Sequence, residues 1–93
     1  MRTIDLTRPF KRDYKSKESG VLGKKLDDVL RPVVTALASD VPLAERHRDH
    51  ALSGKWKDCR DCHIRPDLIL IYRRIGRETL ELVRLGSHSE LGL

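Results

Sequence analysis

The chain is poor in the residues that build a large or membrane-embedded core. Of its 93 residues, 4% are aromatic, one is methionine, one is tryptophan and two are cysteine. The longest apolar run, LILIY at Leu68–Tyr72, is far shorter than the ~20 residues that cross a bilayer. The opening segment, MRTIDLTRPFKR, has no apolar stretch of the kind that directs secretion. We therefore expect a single soluble domain, residues 1–93, in the cytoplasm.

Two cysteines are too few for a disulfide scaffold, and a reducing compartment favours free thiols. They nevertheless lie in KDCRDCHIRPD, where Cys59-x-x-Cys62-His63 has the form of a c-type haem attachment site. Haem would need an export signal and a second axial ligand, and the only methionine is Met1. In a strand, Cys62 and His63 would point to opposite sides, which disfavours zinc, and a redox CxxC should open a helix. We predict no cofactor and no metal.

The charge is strongly basic, with a formal net charge of +5 and an isoelectric point near 9.6. Between Arg8 and Lys25 there are seven basic and two acidic residues. This balance favours an acidic partner, namely nucleic acid, an anionic membrane or an acidic protein. The alternative is a basic helix face that is simply solvated.

The first quarter of the chain predicts a strand followed by a helix. Apolar and polar residues alternate over Arg2–Leu6, as in a short strand. Thr7 is a suitable cap for a helix that runs to about Ser19, with Phe10 and Tyr14 on one face.

A second helix is predicted over about Lys24–Ser39, where apolar residues recur at helical spacing. Pro32 lies inside it and should kink the helix or divide it near Arg31, because proline lacks a backbone N–H. Two helices with a short connection should form an antiparallel hairpin. The polar segment Ser39–Asp58 follows, and a connection of that length in a small domain is usually functional.

Three strand-like runs complete the chain, at Cys59–Ile64, Leu68–Ile75 and Thr79–Gly86, with a hairpin turn at Gly76–Glu78. The second run is apolar at consecutive positions, as in a central strand covered on both faces. The order β-α-α-β-β-β predicts an α+β fold: a small, mostly antiparallel sheet with a helical hairpin on one face. The long connection and the tail are left to cover the other face.

Histidines are concentrated in the second half of the chain. His50 lies in the long connection, His63 near the end of a predicted strand and His88 just past the last strand. Any one of them alone is most simply a surface or hydrogen-bonded structural residue. Together with Asp67 and Arg84 they suit phosphodiester cleavage without a metal, provided that the strand register brings them to one edge of the sheet.

The chemistry of such a group is specific for RNA. Neutral imidazole takes the proton of a ribose 2′-OH and imidazolium protonates the 5′-oxygen, and each transfer contributes about 10²–10⁴-fold. Asp67 would fix the tautomer of one imidazole and favour its cation. Arg84 would bind the charged phosphorane, the alternative being a surface salt bridge, for example with Glu81. The expected product is a 2′,3′-cyclic phosphate.

Dispersed motifs over Arg48–Leu91, DHALSG, Trp56, RDCHIRPD, LILIY and VRLGSHSEL, resemble the YafQ branch of the RelE/ParE superfamily of bacterial toxins. The resemblance implies a RelE-like fold and a ribosome-dependent mRNA endoribonuclease of a type II toxin–antitoxin pair, cutting mRNA in the ribosomal A site and so inhibiting translation. It implies five catalytic residues and a weaker candidate: His50, His63, Asp67, Arg84, His88 and, more weakly, Asp61. Trp56 is expected to pack the loop.

The implied partners are mRNA, the ribosome with its 16S rRNA, and an acidic ribbon-helix-helix antitoxin of the RelB/DinJ type. The toxin would be a monomer within a larger toxin–antitoxin complex. Either ribosomal RNA phosphates or an antitoxin segment that folds on binding would contact the exposed basic residues. Those predicted to bind RNA or the ribosome are Lys11, Arg12, Lys15, Lys24 and Lys25.

One position departs from the family pattern. Relatives end GSHSELF, whereas Gly92 stands in place of the aromatic and Leu93 follows. Loss of an aromatic that stacks on a base costs about 1–3 kcal/mol of contact. Either Leu93 substitutes in part, or the chain is a catalytically weakened or inactive homologue that still binds RNA or the ribosome. A gyrase-directed inhibitor of the ParE kind is a further alternative, disfavoured because it needs no acid–base residues.

Overall fold

A five-stranded mixed sheet forms the centre of the computed structural model, which describes residues 1–93. Its strands are β1 (Thr3–Leu6), β2 (His50–Ala51), β3 (Arg60–Arg65), β4 (Leu68–Ile75) and β5 (Thr79–Gly86). They lie in the order β1-β5-β4-β3-β2, with β1 parallel to β5 and all other pairs antiparallel. The predicted α+β fold with a mostly antiparallel sheet is confirmed, and the doubly apolar run is the central strand.

Three helices accompany the sheet: α1 (Arg8–Glu18), α2 (Leu26–Ala38) and the short α3 (His88–Leu91). Thr7 caps α1 as predicted, because its Oγ1 accepts a hydrogen bond from the backbone N–H of Phe10 at 3.1 Å. A 3₁₀ turn at Gly23–Lys25 leads into α2. No helix has both the length and the apolar character needed to cross a bilayer.

Pro32 does not divide α2, which runs unbroken to Ala38. Proline removes one hydrogen bond of the helix, but the buried face of α2 carries Leu30, Val33 and Leu37 into the main core. Packing against the sheet therefore outweighs the local cost, and the predicted break near Arg31 is not observed.

The sheet separates two apolar clusters, as the predicted architecture requires. The larger cluster joins α1 and α2 to one face through residues such as Phe10, Leu26, Leu70 and Tyr72. The smaller one lies on the opposite face and is built from Cys59, Ile69, Ile71 and Leu91, with Leu52, Trp56 and Val83 packed against it. The loop and the tail thus cover the second face, and Trp56 packs the loop as expected.

The long connection contains structure that the sequence did not predict. It includes 3₁₀ turns at Glu45–His47 and Gly54–Trp56 and the edge strand β2, which pairs with Asp61 and Arg60 of β3. Two exposed residues are too short a stretch to show alternation, so only pairing with β3 defines this strand. The tail likewise forms α3, which the sequence analysis missed.

The outer edge of β5 is completed by side chains where β1 ends. Beyond Leu6, the hydroxyl of Thr7 donates to the carbonyl of Val83 at 2.8 Å, and Asp13 Oδ2 accepts from the Leu85 N–H at 3.0 Å. Helix α1 thereby satisfies backbone groups that a longer β1 would have paired.

Replacement of Thr7 by alanine should lower the free energy of unfolding by about 1–2 kcal/mol, because both the helix cap and the contact with Val83 are lost. Urea denaturation monitored by circular dichroism measures the change. Thr7→Ser retains the hydroxyl and should recover most of the stability. An equal loss in both variants would contradict the assignment.

Candidate active site at the sheet face opposite the helical hairpin

Strand register places the predicted polar residues on one face of the sheet. His50 is the partner of Asp61, Asp61 of Ile71, and Ile71 of Arg84. Side chains of directly opposed residues share a face, and Ile71 belongs to the smaller apolar cluster. His50 and Asp61 therefore face away from the helical hairpin, whereas Arg84 lies at a register shift between β4 and β5 and its guanidinium reaches Asp13 of α1.

His63 lies in the neighbouring row on the same face. Its partner is Ile69, whose partner on β5 is Gly86. A side chain at Gly86 would approach Glu90 to 3.1 Å and Leu91 to 3.4 Å. The absence of a side chain there lets α3 fold back over the end of β5, and Leu91 packs beside Ile69.

Helix α3 is held in this position by its caps. Ser87 and Glu90 form a reciprocal capping box, and Lys17 of α1 binds Glu90 Oε1 at 2.6 Å. This ion pair, together with the bond from the Ser87 N–H, lowers the pKa of Glu90 to about 2. The result is a fixed placement for His88 at the start of the helix.

Asp67 and His88 form a hydrogen-bonded pair. Asp67 Oδ1 accepts from the backbone N–H of His88 at 3.0 Å and from its ring Nδ1 at 2.7 Å. These two bonds lower the pKa of Asp67, so the carboxylate is ionised at neutral pH. An ionised carboxylate only accepts, so Nδ1 carries the proton and Nε2 is the free nitrogen of the ring.

The rings of His63 and His88 meet edge to face, with centroids 5.2 Å apart. Burial lowers the pKa of His63, and the nearby His88 adds to this effect, while Asp61 opposes it. At neutral pH the His63 imidazole is therefore mostly uncharged. The predicted chemistry needed the histidines to lie close together, which the sequence could not show. In the structure His63 and His88, from separate segments, are in contact.

Asp61 is the buried member of the group, with 3% of its surface exposed. His50 Nδ1 lies 3.1 Å from Asp61 Oδ1 but donates to the carbonyl of Arg48 at 2.7 Å, so this carboxylate oxygen has no hydrogen-bond partner. Burial raises the pKa of Asp61, and the surrounding histidines moderate the rise. Asp61, the weaker candidate from the sequence, is therefore the least exposed of the predicted catalytic residues.

A cleft of about 560 Å³ opens beside His63 and His88, and none of its lining residues is acidic. His47 lines it too, with Nδ1 2.6 Å from the carbonyl of His63. The basic residues of its wall are Arg46, Arg48 and Arg65. These four residues were not predicted from the sequence, although RHR at Arg46–Arg48 is a local signal of positive charge. The cleft suits a polyanion.

Arg84 lies outside the lining of this cleft. Its guanidinium binds Asp13 of α1 through Nε at 2.6 Å and Nη2 at 3.3 Å. The suggested alternative partner, Glu81, binds Arg73 instead. In this structure Arg84 ties α1 to β5, and contact with phosphate would require Nη1 or a departure from Asp13.

The basic residues predicted to bind RNA or the ribosome are exposed but do not line the histidine cleft. Lys11 and Lys15 border a separate groove of about 490 Å³ among α1, α2 and β1. Lys24 and Lys25 lie in the 3₁₀ turn before α2. Arg12 is an exposed residue of α1.

The cysteines take no part in the site. Both are free thiols; Cys62 is fully buried in the main core and Cys59 is buried in the smaller cluster. Burial raises the pKa of each thiol, which leaves them protonated. The structure contains no group of three or more histidine, cysteine or acidic side chains arranged to hold a metal ion.

Gly92 terminates α3 in the left-handed conformation, with φ of 71°. The N–H groups of Gly92 and Leu93 bond to the carbonyls of Ser89 and His88, which is a Schellman ending. An aromatic residue at this position would be strained. The departure from the family pattern therefore has a local structural role.

Asp61 should control the titration of His63. In the wild type we expect a His63 pKa below the usual 6.5, and Asp61→Asn should lower it further, because a negative charge that favours imidazolium is removed. Histidine ring NMR signals followed against pH measure both values. Asp5→Asn, on the far edge strand, should cause no change. A rise in pKa in Asp61→Asn would refute the assignment.

Comparison with known proteins identifies the family. The profile described as "Bacterial toxin of type II toxin-antitoxin system, YafQ" matches residues 2–92. The mRNA interferase toxin YafQ of Escherichia coli is 33% identical over 97% of this chain and 95% of its own length.

Solved structures agree in fold. A copper-bound mutant toxin from Helicobacter pylori superposes with a TM-score of 0.86 at 42% identity, covering 98% of this chain and 99% of that one. The E. coli DinJ–YafQ complex gives 0.78 at 32% identity, with 98% of each chain covered. The chain therefore belongs to the YafQ family of toxins from bacterial type II toxin–antitoxin systems.

Proposed function

We propose that the protein is an mRNA endoribonuclease toxin that cleaves mRNA in the ribosomal A site and thereby inhibits translation. The observation that carries the proposal is the Asp67–His88 pair facing the uncharged His63 beside a basic cleft. The mRNA interferase name of the E. coli relative supports the same substrate.

In the proposed mechanism His63 is the general base. Its lowered pKa supplies neutral imidazole at neutral pH, which accepts the proton of the ribose 2′-OH. The 2′-oxygen then forms a bond to phosphorus, and the bond from phosphorus to the 5′-oxygen breaks. The products are a 2′,3′-cyclic phosphate and a free 5′-hydroxyl, so the chemistry requires RNA.

His88 is proposed as the general acid that protonates the departing 5′-oxygen. As general acid His88 acts in its imidazolium form, in which Nε2 carries the proton that passes to the 5′-oxygen, while Asp67 keeps the Nδ1 proton and compensates the positive charge. His50, beside the buried Asp61, contributes to the charge balance of the same face. Asp61 favours the protonated form of His63 after it has accepted the proton.

Binding of the phosphate chain is assigned to the arginines of the cleft. Arg46, Arg48 and Arg65 line it without a competing carboxylate in the wall. Arg84 belongs to the proposed catalytic set as a stabiliser of the phosphorane. Because Nε and Nη2 are bound to Asp13, Arg84 would reach the phosphate through Nη1 or after leaving Asp13.

The proposed partners are the ribosome with its 16S rRNA, mRNA and a DinJ-type antitoxin. The solved DinJ–YafQ complex of E. coli supports the last of these. The residues proposed to contact ribosomal phosphates are exposed cations that do not line the cleft, namely Lys11, Arg12, Lys15, Lys24 and Lys25.

Alanine at His63 or His88 should reduce cleavage about 10²–10⁴-fold, because one proton transfer is lost. Primer extension on translated mRNA, with ribosomes and purified toxin, measures the cuts within codons. The matched control is Cys59→Ala, from the same short segment, which should cut nearly as fast as the wild type. Loss of activity in Cys59→Ala with retention in His63→Ala would reverse the assignment.

The alternative function is a homologue that binds the ribosome without cutting, and Gly92 is the observation that favours it. Gly92→Phe restores a stacking residue worth about 1–3 kcal/mol. Left-handed strain of about 1–2 kcal/mol offsets that gain.

We therefore expect the wild type to cleave mRNA and Gly92→Phe to change the rate of cleavage only modestly. Primer extension compares the two chains, and ribosome co-sedimentation verifies that both bind. Cleavage by Gly92→Phe alone, with an inert but ribosome-bound wild type, would establish the alternative.

A further inference from the structure

A polar cluster lies behind the histidine face and outside the proposed catalytic set. Asp49 Oδ1 accepts a hydrogen bond from the hydroxyl of Tyr72 at 2.5 Å and from Arg60 Nε at 3.2 Å. Tyr72 belongs to the central strand and has no exposed surface. We refer to Asp49, Arg60 and Tyr72 as the Asp49 clamp.

The clamp and the histidines occupy opposite faces of the sheet. Tyr72 and Arg60 are register partners, and Tyr72 belongs to the main core under the helical hairpin. His50, the residue after Asp49, is the partner of Asp61 on the other face. Successive residues of an extended segment point to opposite faces, so a bond to Asp49 on one face orients His50 on the other.

The segment that the clamp holds has few other attachments. Strand β2 has two residues, and Arg48, directly before the clamp, is in the left-handed conformation with φ of 47°. A left-handed non-glycine residue is costly and persists only where its surroundings fix it. The Leu52 N–H bond to the Cys59 carbonyl and the His47 ring bond to β3 are the neighbouring ties.

The segment also carries cleft residues. His47 and Arg48 line the cleft, and His50 lies beside Asp61. Displacement of this short segment would move all three together. Errors of about 1 Å in the placement of reacting groups can cost on the order of 10²-fold in rate.

We propose that Tyr72 and Asp49 are positioning residues, which hold the His47–Ala51 segment from behind so that His47 and Arg48 line the cleft and His50 lies beside Asp61. The central strand fixes the position of the Tyr72 hydroxyl. Its hydrogen bond to Asp49 holds the segment that contains Asp49. Arg60 balances the charge of the carboxylate. Neither Tyr72 nor Asp49 lines the cleft. The effect on cleavage rests on the proposed function, but the effect on the segment does not.

The test combines four variants with two measurements. Tyr72→Phe removes one hydroxyl, Asp49→Ala removes the acceptor, the double variant removes both, and Asp49→Asn retains an acceptor. Cleavage of translated mRNA is measured by primer extension. Hydrogen exchange of the His50, Ala51 and Leu52 amides is measured by NMR together with the His47 and His50 ring signals.

The structure provides a matched control in a second tyrosine–aspartate pair. The hydroxyl of Tyr14 donates to Asp27 between the helices of the hairpin, away from the cleft. Tyr14→Phe removes the same chemical group and should leave both cleavage and β2 exchange unchanged.

We expect Tyr72→Phe and Asp49→Ala each to slow cleavage about tenfold or more, with the double variant no slower than the slower single. Exchange should accelerate selectively at β2, and Asp49→Asn should recover most of the rate. If Tyr72→Phe does not fold, the two Asp49 variants decide the same question.

Independent losses that multiply in the double variant would overturn the proposal. So would unchanged exchange at β2, or acceleration spread equally over β4 and β5, which would indicate general destabilisation. If the wild type fails to cut translated mRNA, the proposed function fails by itself. The exchange and ring signals then still decide whether the clamp positions the segment.

Discussion

The burial of β4 on both faces is the constraint on which the rest of the structure depends. Leu70 and Tyr72 point into the core beneath the hairpin, whereas Ile69 and Ile71 point into the smaller cluster. Because side chains alternate along a strand, a shift of one residue would exchange these two sets and bury the wrong face of each neighbour. The burial of this one strand therefore fixes the register of β3 and β5, and with it the face on which Asp61 and His63 appear.

The polar face shows how burial and charge compete at one site. Burial raises the pKa of Asp61 and lowers that of His63, because each prefers its uncharged form away from water. Their mutual attraction acts in the opposite sense on both groups. Asp67 is exposed, and its hydrogen bonds to His88 lower its pKa. Two carboxylates a few residues apart in sequence therefore have pKa shifts of opposite direction, for reasons that only their surroundings supply.

Backbone and carboxylate oxygens orient three of the histidine rings in the same manner. The Nδ1 atoms of His47, His50 and His88 lie against the His63 carbonyl, the Arg48 carbonyl and Asp67. Since these oxygens accept hydrogen bonds, each ring has its proton on Nδ1 and its free nitrogen at Nε2. The local devices that place them, a 3₁₀ turn, a left-handed residue and a capped short helix, are all short-range, whereas their convergence depends on the sheet.

The sequence by itself determined the element types of the long periodic segments and the central place of LILIY, and it predicted a group of histidine, aspartate and arginine residues. These follow from local alternation, helical spacing and dispersed motifs. It did not reveal β2, the place of His47 or the Asp13 partner of Arg84, because these rest on contacts between residues far apart in the chain. It did not reveal α3 because four residues are too few to show helical spacing. Nor did it reveal that Pro32 would be tolerated, since the buried face of α2 outweighs one lost hydrogen bond. Tertiary structure decided the shared face, because only strand register converts separated residues into neighbours.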